Sequence, residues 1–471
     1  LKKNIKSKKL WDSKEIAAAL SAQNTTHWVA SGISIDSRRI IKGDLFIAIA
    51  GAKFDGNKFT HDALIKGAVA AIVSHDPKDF KEKKPVIIFR NTALALKKIG
   101  EFARARTKAK IIAVTGSVGK TTTKELLREI LEKEGPTTST IGNLNNQIGL
   151  PLSLSRMPKE SAFGIFELGM NRPGEISKLT KIAKPDIAII TNVEKAHLKF
   201  FKSFKEVALA KSEIFKGMTG SIGILNRDNQ FYDLLKKVAL QNNIKKIITF
   251  GEHRSSNIRL LNYALKNKSS ECTAIVSGKK VQYRLSSAGK HWIINSLIIL
   301  ATALALKLNI KQVAKRLGKT KPIIGRGEKH NIRSKSAHFT LLDDSYNACP
   351  ASMKNGIEIL SNMKTNGRRI AVLGDMLELG KESKSMHLEL KKDLIKANIN
   401  LVFTSGKYMK TLHKTLPKTI RGGHNNNPEK LGKSLVPKIR KNDIVFVKGS
   451  NGTKMMTVVK ILRSIGMKDK K

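Results

Sequence analysis

The run Ile111-Ile-Ala-Val-Thr-Gly-Ser-Val-Gly-Lys-Thr-Thr-Thr-Lys124 organises this chain. Ile111 to Val114 has the length and apolar character of a buried strand. Gly116 and Gly119 mark a turn, and from Lys124 the pattern Lys-Glu-Leu-Leu-Arg-Glu-Ile-Leu has helical spacing. Strand, glycine turn and helix is the setting that a phosphate-binding loop needs. Glycines let backbone N–H groups approach phosphate oxygens, and the helix N-terminus favours negative charge. Thr115, Gly116, Ser117, Val118, Gly119, Lys120, Thr121 and Thr122 are therefore candidate ATP contacts. Lys120 is placed to reach the β- and γ-phosphates, and the Thr121 hydroxyl to ligate Mg²⁺. Val114 stands where the full G-x-x-x-x-G-K-[ST] pattern has its first glycine.

The rhythm of strand then helix continues on the C-terminal side of the loop. Candidate strands at Phe163–Leu168, Ile187–Thr191 and Ile222–Asn226 alternate with helical stretches from Pro173, Ser203 and Asn229. This predicts βαβ units and a mostly parallel sheet over about 108–322, with Cys272 to Leu285 as an antiparallel excursion. Trp292 to Leu306 is strongly apolar but broken by Asn295, Ser296 and Thr302, so it reads as a buried helix and not a membrane span. The pattern resets near 323, with strands expected at Phe339–Leu342, Ile370–Leu373, Leu401–Thr404 and Ile444–Val447. Residues 319–322 form the expected hinge.

Ahead of the loop, 1–107 reads as a small α/β module. Asp12-Ser-Lys-Glu15 has the form of a capping box for a helix ending at Leu20. Gly43-Asp44 precedes a strand from Leu45 to Ile49, and a helix from Ala63 to Ala70 leads into Ala71–Val73. A length of 471 residues suits about three domains, each able to bury a core.

Two cysteines in 471 residues exclude a disulfide framework and suit a reducing cytoplasm. The basic first residues are followed by no secretory apolar core. The net charge of +51, from 88 Lys and Arg against 37 Asp and Glu, admits two readings: a polyanionic partner or a composition bias. Lysines are spread through every segment and aromatics make up only 5%, which favours bias over a specific nucleic-acid surface.

Ligands of parallel α/β sheets gather at the carboxyl ends of strands. Glu167 ends one such strand and is either a Mg²⁺ ligand, a base or a solvated carboxylate. His197 follows another and is either a ligand or a surface residue. Lys211 carries no signal of its own among so many lysines. His291 and Asn295 are four apart and share a helix face, fit for a base or ribose or for capping a buried helix. Arg326 lies between Gly325 and Gly327, where it could reach a transferring phosphoryl group, and Asp343-Asp-Ser-Tyr-Asn347 follows a strand.

Taken in order, these motifs resemble the Mur ligase family. The matching runs are Asp36-Ser-Arg38 with Gly43-Asp-Leu-Phe46, Thr115-Gly-Ser-Val-Gly-Lys-Thr-Thr122, Gly142-Asn-Leu-Asn-Asn-Gln-Ile-Gly-Leu-Pro151 and Glu167-Leu-Gly-Met170. They continue through Thr191-Asn192, Ala196-His-Leu198, Ala210-Lys-Ser-Glu-Ile214, Gly325-Arg-Gly327, Asp344-Ser-Tyr-Asn-Ala348, Leu373-Gly-Asp-Met-Leu-Glu-Leu-Gly380 and Val447-Lys-Gly-Ser450. The resemblance implies an α/β protein of three domains. A UDP-substrate domain (1–107) is followed by a central P-loop domain with a parallel sheet (108–322) and a Rossmann-like ligase domain (323–471).

The Asp-Ser-Tyr-Asn-Ala and Leu-Gly-Asp-Met-x-Glu-Leu-Gly runs imply the member that joins D-alanyl-D-alanine to UDP-N-acetylmuramoyl-tripeptide at the cost of ATP. By the same resemblance, Thr121, Glu167, His197 and Lys211 hold metal, the last as a carbamylated lysine. Lys120, Lys211 and Arg326 serve catalysis. His291, Asn295, Arg326 and Asp344 contact the nucleotide, and Ser37, Phe46, Asn145, Asn146, Tyr346 and Asn347 contact substrate. A cytoplasmic monomer is expected, with no membrane span and no specific nucleic-acid partner. Several positions depart from the family pattern, among them Glu194-Lys195, Trp292, Cys349 and Asn451.

Overall fold

The computed structural model describes residues 9–23, 26–51, 55–76, 84–195, 198–266, 269–320, 325–333 and 338–468. It is a mixed α/β structure with sheets of two, four, nine and six strands. The chain enters through Trp11–Asp12, paired antiparallel with Val29–Ala30. Asp12 then caps the helix Ser13–Leu20 by accepting from Glu15 N, while the Glu15 carboxylate takes Asp12 N in return. The capping box is present as expected.

Four short parallel strands follow, Gly32–Ser34, Asp44–Ile47, Ala70–Val73 and Val86–Ile88, hydrogen-bonded in that order. The helix expected at Ala63–Ala70 is instead Thr60–Ile65. Gly67, at φ 106°, follows its end, and the chain then runs into the strand Ala70–Val73.

The helix Thr92–Ala105 carries the first unit onto the second by packing against Gly149–Ser155. Gly100 lets the two backbones meet: a Cβ there would lie 2.8 Å from Pro151 Cα. Leu152 completes a core otherwise built from Trp11, Ile16, Leu45, Ile72, Leu96 and other early residues. Trp11 Nε1 donates to Ser155 O at 2.8 Å.

The nine-stranded sheet is ordered Lys279–Leu285, Ser270–Val276, Ile258–Leu265, Lys246–Gly251, Ile222–Asn226, Ile187–Ile190, Lys110–Thr115, Phe163–Glu167, Thr137–Ser139. Ile258–Leu265, Ser270–Val276 and Lys279–Leu285 form the antiparallel excursion, one strand longer than expected; the other pairings are parallel. After Phe163–Glu167 the chain crosses to the other side of Lys110–Thr115, so the strand order reverses around the glycine loop, the position at which such sheets bind ligands. Helix Lys290–Ala305 is almost wholly buried behind the sheet, with Ile293, Leu297 and Ile298 at 0% exposure. Among the described residues no helix is long and apolar enough to cross a membrane.

The third unit is a six-stranded sheet ordered Glu328–Arg333, His338–Asp344, Ile444–Lys448, Arg369–Gly374, Leu401–Ser405, Arg421–His424. Only the first pair is antiparallel. Glu328–Arg333 and Arg421–His424 were not expected, because Glu-Lys-His-Asn-Ile-Arg and Arg-Gly-Gly-His lack both alternation and an apolar run. Thr137–Ser139 and Lys246–Gly251 are further strands beyond those that the sequence pattern predicts. Of the expected hinge at 319–322, residues 321 and 322 lie outside the described residues.

Gly100→Ala is expected to lower stability by about 1–3 kcal/mol, despite alanine's better helix propensity, because the methyl meets backbone at Pro151 and not a movable side chain. A urea unfolding midpoint compared with that of the unaltered chain checks it.

Candidate active site

The carboxyl ends of Lys110–Thr115, Phe163–Glu167 and Ile187–Ile190 lie side by side, with Val114 in register with both Glu167 and Ile189. The glycine loop turns away from this corner. Gly116 holds φ 152° and Gly119 φ 83°, and a Cβ on Gly116 would stand 1.9 Å from Thr191 Oγ1. Only glycine lets the loop lie so close to the next strand's end. Thr191 donates its hydroxyl to Val118 O at 2.5 Å, Ser117 N donates to Asn192 O at 2.9 Å, and the Ser117 hydroxyl donates to Glu194 O at 2.9 Å. The loop is thus tied to the segment that follows Ile187–Ile190.

Helix Lys120–Leu131 starts directly after the loop, with Gly119 as its left-handed N-cap residue. Lys120 Nζ bends back to donate to Gly116 O at 2.7 Å. Burial holds its ammonium below the usual lysine range, while the Glu167 charge acts the other way. Thr121 Oγ1 donates to Glu167 Oε2 at 2.9 Å and accepts from Arg326 Nη2 at 2.9 Å. Asn145 Nδ2 donates to the other Glu167 oxygen at 2.8 Å. Loop, central strand and third unit therefore meet at one hydroxyl. The Arg326 guanidinium is a cation placed beside a hydroxyl and a carboxylate, and these are hard oxygen donors of the kind Mg²⁺ takes.

Above this junction opens a cleft of about 980 Å³, lined from both the central and the third unit. Its walls include Ser117 to Thr122, Asn145, Asn146, Glu167, His291, Asn295, Arg326, Asp344, Tyr346 and Asn347. Asn295 faces the loop: a Cβ on Gly119 would come 2.7 Å from its Oδ1. Burial pushes the His291 imidazole down to about 4, with Asp344 opposing and Lys448 and Arg326 assisting, so it is neutral near pH 7. The Tyr346 ring lies 4.4 Å from the Arg326 guanidinium carbon and supports it as a cation–π partner. Asn146 caps Gly149 N through Oδ1 at 2.8 Å.

Lys211 sits in helix Phe204–Ser212 with 2% exposure. Burial, with the Lys120 charge adding to it, holds its amine well below the usual lysine range. Ser37 and Phe46 do not join the cleft wall. Ser37 is buried in the first unit, where its carbonyl accepts from Lys66 Nζ at 3.4 Å, and Phe46 is packed among Ala48, Ala63, Leu64 and Val73. His197 lies outside the described residues.

Lys448 is a cleft residue that motif reading left without a role. It ends strand Ile444–Lys448, is 2% exposed, and its Nζ donates to Asp344 Oδ2 and, at 2.9 Å, to Asn347 O. It fixes the segment carrying Asp344, Tyr346 and Asn347. Its position at a strand's carboxyl end was the available signal. Glu194, whose carboxyl is pushed up by burial against a hydrogen bond from Asn192, also lines the cleft.

Three family models match the chain in succession: the Mur ligase family catalytic domain at 29–106, the Mur ligase middle domain at 114–303, and the Mur ligase glutamate ligase domain at 325–451. The chain belongs to the Mur ligase family. Among curated Mur ligases, the UDP-N-acetylmuramoyl-tripeptide–D-alanyl-D-alanine ligase of Rickettsia prowazekii is 34% identical over 96% of this chain and 99% of its own length. The Escherichia coli protein of the same name is 32% identical over 92% and 94%. Among solved structures, MurF from Acinetobacter baumannii superposes with TM-score 0.84 at 29% identity, covering 96% of this chain and 99% of that one. MurF ligase from Thermotoga maritima, in complex with ADP, gives 0.76 at 27% identity, covering 93% and 98%.

Gly116→Ala should weaken nucleotide binding by at least about tenfold, since the loop must move off Thr191 to admit the methyl. Fluorescent-ATP titration measures it; unchanged affinity would contradict the tight seat of the loop.

Proposed function

We propose that this chain is an ATP-dependent ligase that joins D-alanyl-D-alanine to UDP-N-acetylmuramoyl-tripeptide, forming ADP and phosphate through an acyl phosphate. One observation carries the reading: the Thr121 hydroxyl joins Glu167 of the central sheet to Arg326 of the third unit under a single shared cleft. Relatives named for that reaction, matched along nearly their full length, support it. Residues 1–107 would hold the uridine nucleotide, 108–322 ATP, and 323–471 would close over both. The cleft is completed by residues of one chain, which suits a monomer. Both cysteines are free and buried, which suits the cytoplasm.

The tripeptide carboxylate attacks the γ-phosphorus and ADP leaves. Lys120 and Arg326 offset the charge that builds on the transferring oxygens, and their partial burial strengthens the effect. Asn145, already bonded to Glu167, and Asn146 border the carboxylate's approach. The amine of D-alanyl-D-alanine then attacks the activated carbonyl carbon, and phosphate leaves with the C–O bonding pair. Residues of both units exclude water, which would otherwise hydrolyse the acyl phosphate. Tyr346 and Asn347 stand on the substrate side of the third unit, while His291 and Asn295 take the adenine and Asp344, steadied by Lys448, the ribose.

The hydroxyl–carboxylate pair of Thr121 and Glu167 fits Mg²⁺, with His197 completing the set; bound there, the ion would supply Lewis-acid relief of phosphate charge. Lys211 is suited to carbamylation because burial and the nearby Lys120 charge disfavour its ammonium form: the lone pair of the free amine attacks CO₂, a proton leaves, and the carbamate can face a second cation.

Phosphate release from ATP should require both UDP-N-acetylmuramoyl-tripeptide and D-alanyl-D-alanine, and mass spectrometry should find the pentapeptide product. Release indifferent to the dipeptide would overturn the assignment. Arg326→Ala should lower kcat about 10³-fold or more, with a smaller change in KM for ATP.

A further inference from the structure

The first two strands of the third unit carry a group that the ligase reaction leaves unused. Glu328 and His330 are two apart on Glu328–Arg333 and so share a face, and Asp343 lies directly opposite Glu328 on the antiparallel partner. One ligand atom from each of the three lies within 4.8 Å of the others. The arrangement places two carboxylates as cross-strand neighbours, a destabilising pairing unless a cation stands between them. Among the described residues, neither forms an ion pair with a Lys or Arg, in a chain that has 88 of them; the recorded partner is His330, whose Nε2 is 3.4 Å from Glu328 Oε2.

Two further observations point inward to a ligand. Glu328 Oε2 and His330 Nε2 are both shielded from solvent, and although they face each other at 3.4 Å neither makes a hydrogen bond. Buried polar atoms of this kind are rare, and an ion is one of the few things that satisfies them together. The third member is already oriented: Asp343 Oδ1 accepts from Ser345 N at 3.0 Å and from the Ser345 hydroxyl at 2.6 Å. Two ligands at i and i+2 on one strand with a third across the ladder is a facial array on a rigid support. One imidazole with two carboxylates suits a borderline divalent transition ion such as Zn²⁺ better than Mg²⁺, which prefers oxygen alone.

We infer that Glu328, His330 and Asp343 form a structural site for a Zn²⁺-like divalent cation, separate from the phosphate cleft. Gly327 N donates to Asp343 O at 2.8 Å, and Arg326 is the preceding residue. The ion therefore pins the root of the segment that presents Arg326 to Thr121. Its role is to brace the entry into the third unit, and it takes no part in phosphoryl transfer.

The test is a Co²⁺ titration of the metal-stripped full-length chain in excess Mg²⁺, read by visible absorption, with Zn²⁺-dependent thermal melting beside it. One equivalent of Co²⁺ should give d–d bands, and Zn²⁺ should raise Tm. His330→Ala and Glu328→Gln should abolish both effects, while Glu167→Gln, which disables the phosphate-side site, should keep them. Glu328 is one-quarter exposed, so Glu328→Gln keeps the test open should His330→Ala not fold. Absence of bands in the unaltered chain would overturn the proposal and leave an ordinary Glu–His contact. Bands that survive Glu328→Gln, or that vanish with Glu167→Gln, would overturn it as well.

Discussion

A single hydroxyl group, Thr121 Oγ1, is where the structure closes on itself. It donates to Glu167 and accepts from Arg326, so the first turn of the loop helix, the end of a neighbouring strand and the opening residues of the third unit share one hydrogen-bonded node. The node sits in a buried setting, where charge-assisted hydrogen bonds are strong and an unpaired partner is costly. Binding of ATP with its cation would free Arg326 to move from hydroxyl to phosphate. In that case the node would link nucleotide arrival to the position of the third unit.

Everything that forms the node is set by strand register. Val114 pairs with Glu167 on one side and Ile189 on the other, which brings Glu167 level with the last residues of both neighbouring strands, and Thr115 and Thr191 follow just beyond. The glycine loop can then lie on Thr191 because Gly116 has no side chain to prevent it. Across the cleft, Asp344 and Lys448 are register partners on adjacent parallel strands, so the same logic places a carboxylate and its ammonium at one strand-end level. The two sheets present carboxyl ends to a common space, and the chemistry is distributed between them.

Much of this was legible in the amino-acid order. The glycine loop could be read because its residue types have a local reason at fixed spacing. Glu167 could be flagged because it ends an apolar run. Lys211 and His197 gained meaning only from the order of motifs around them, since a lone lysine or histidine carries no local signal. What could not be read depended on pairing between distant strands. Lys448 acquires a role only when Ile444–Lys448 lies beside His338–Asp344. Glu328 and His330 become a cluster only when the polar strand that holds them is paired with the strand bearing Asp343, and nothing in Glu-Lys-His-Asn-Ile-Arg announces a strand. The burial of Phe46 was likewise not legible, because residue type and motif say nothing of whether a ring faces a ligand or the core.

The most direct measurement of the central claim is a crystal structure of the chain with Mn²⁺ and a non-hydrolysable ATP analogue, with the ion located by anomalous scattering. A Mn²⁺ peak is expected about 2.0–2.2 Å from Thr121 Oγ1 and a Glu167 carboxylate oxygen, with the Arg326 guanidinium moved from Thr121 onto the γ-phosphate. An ion bound in the cleft without either of those ligands, or Arg326 still bonded to Thr121 with nucleotide in place, would contradict it.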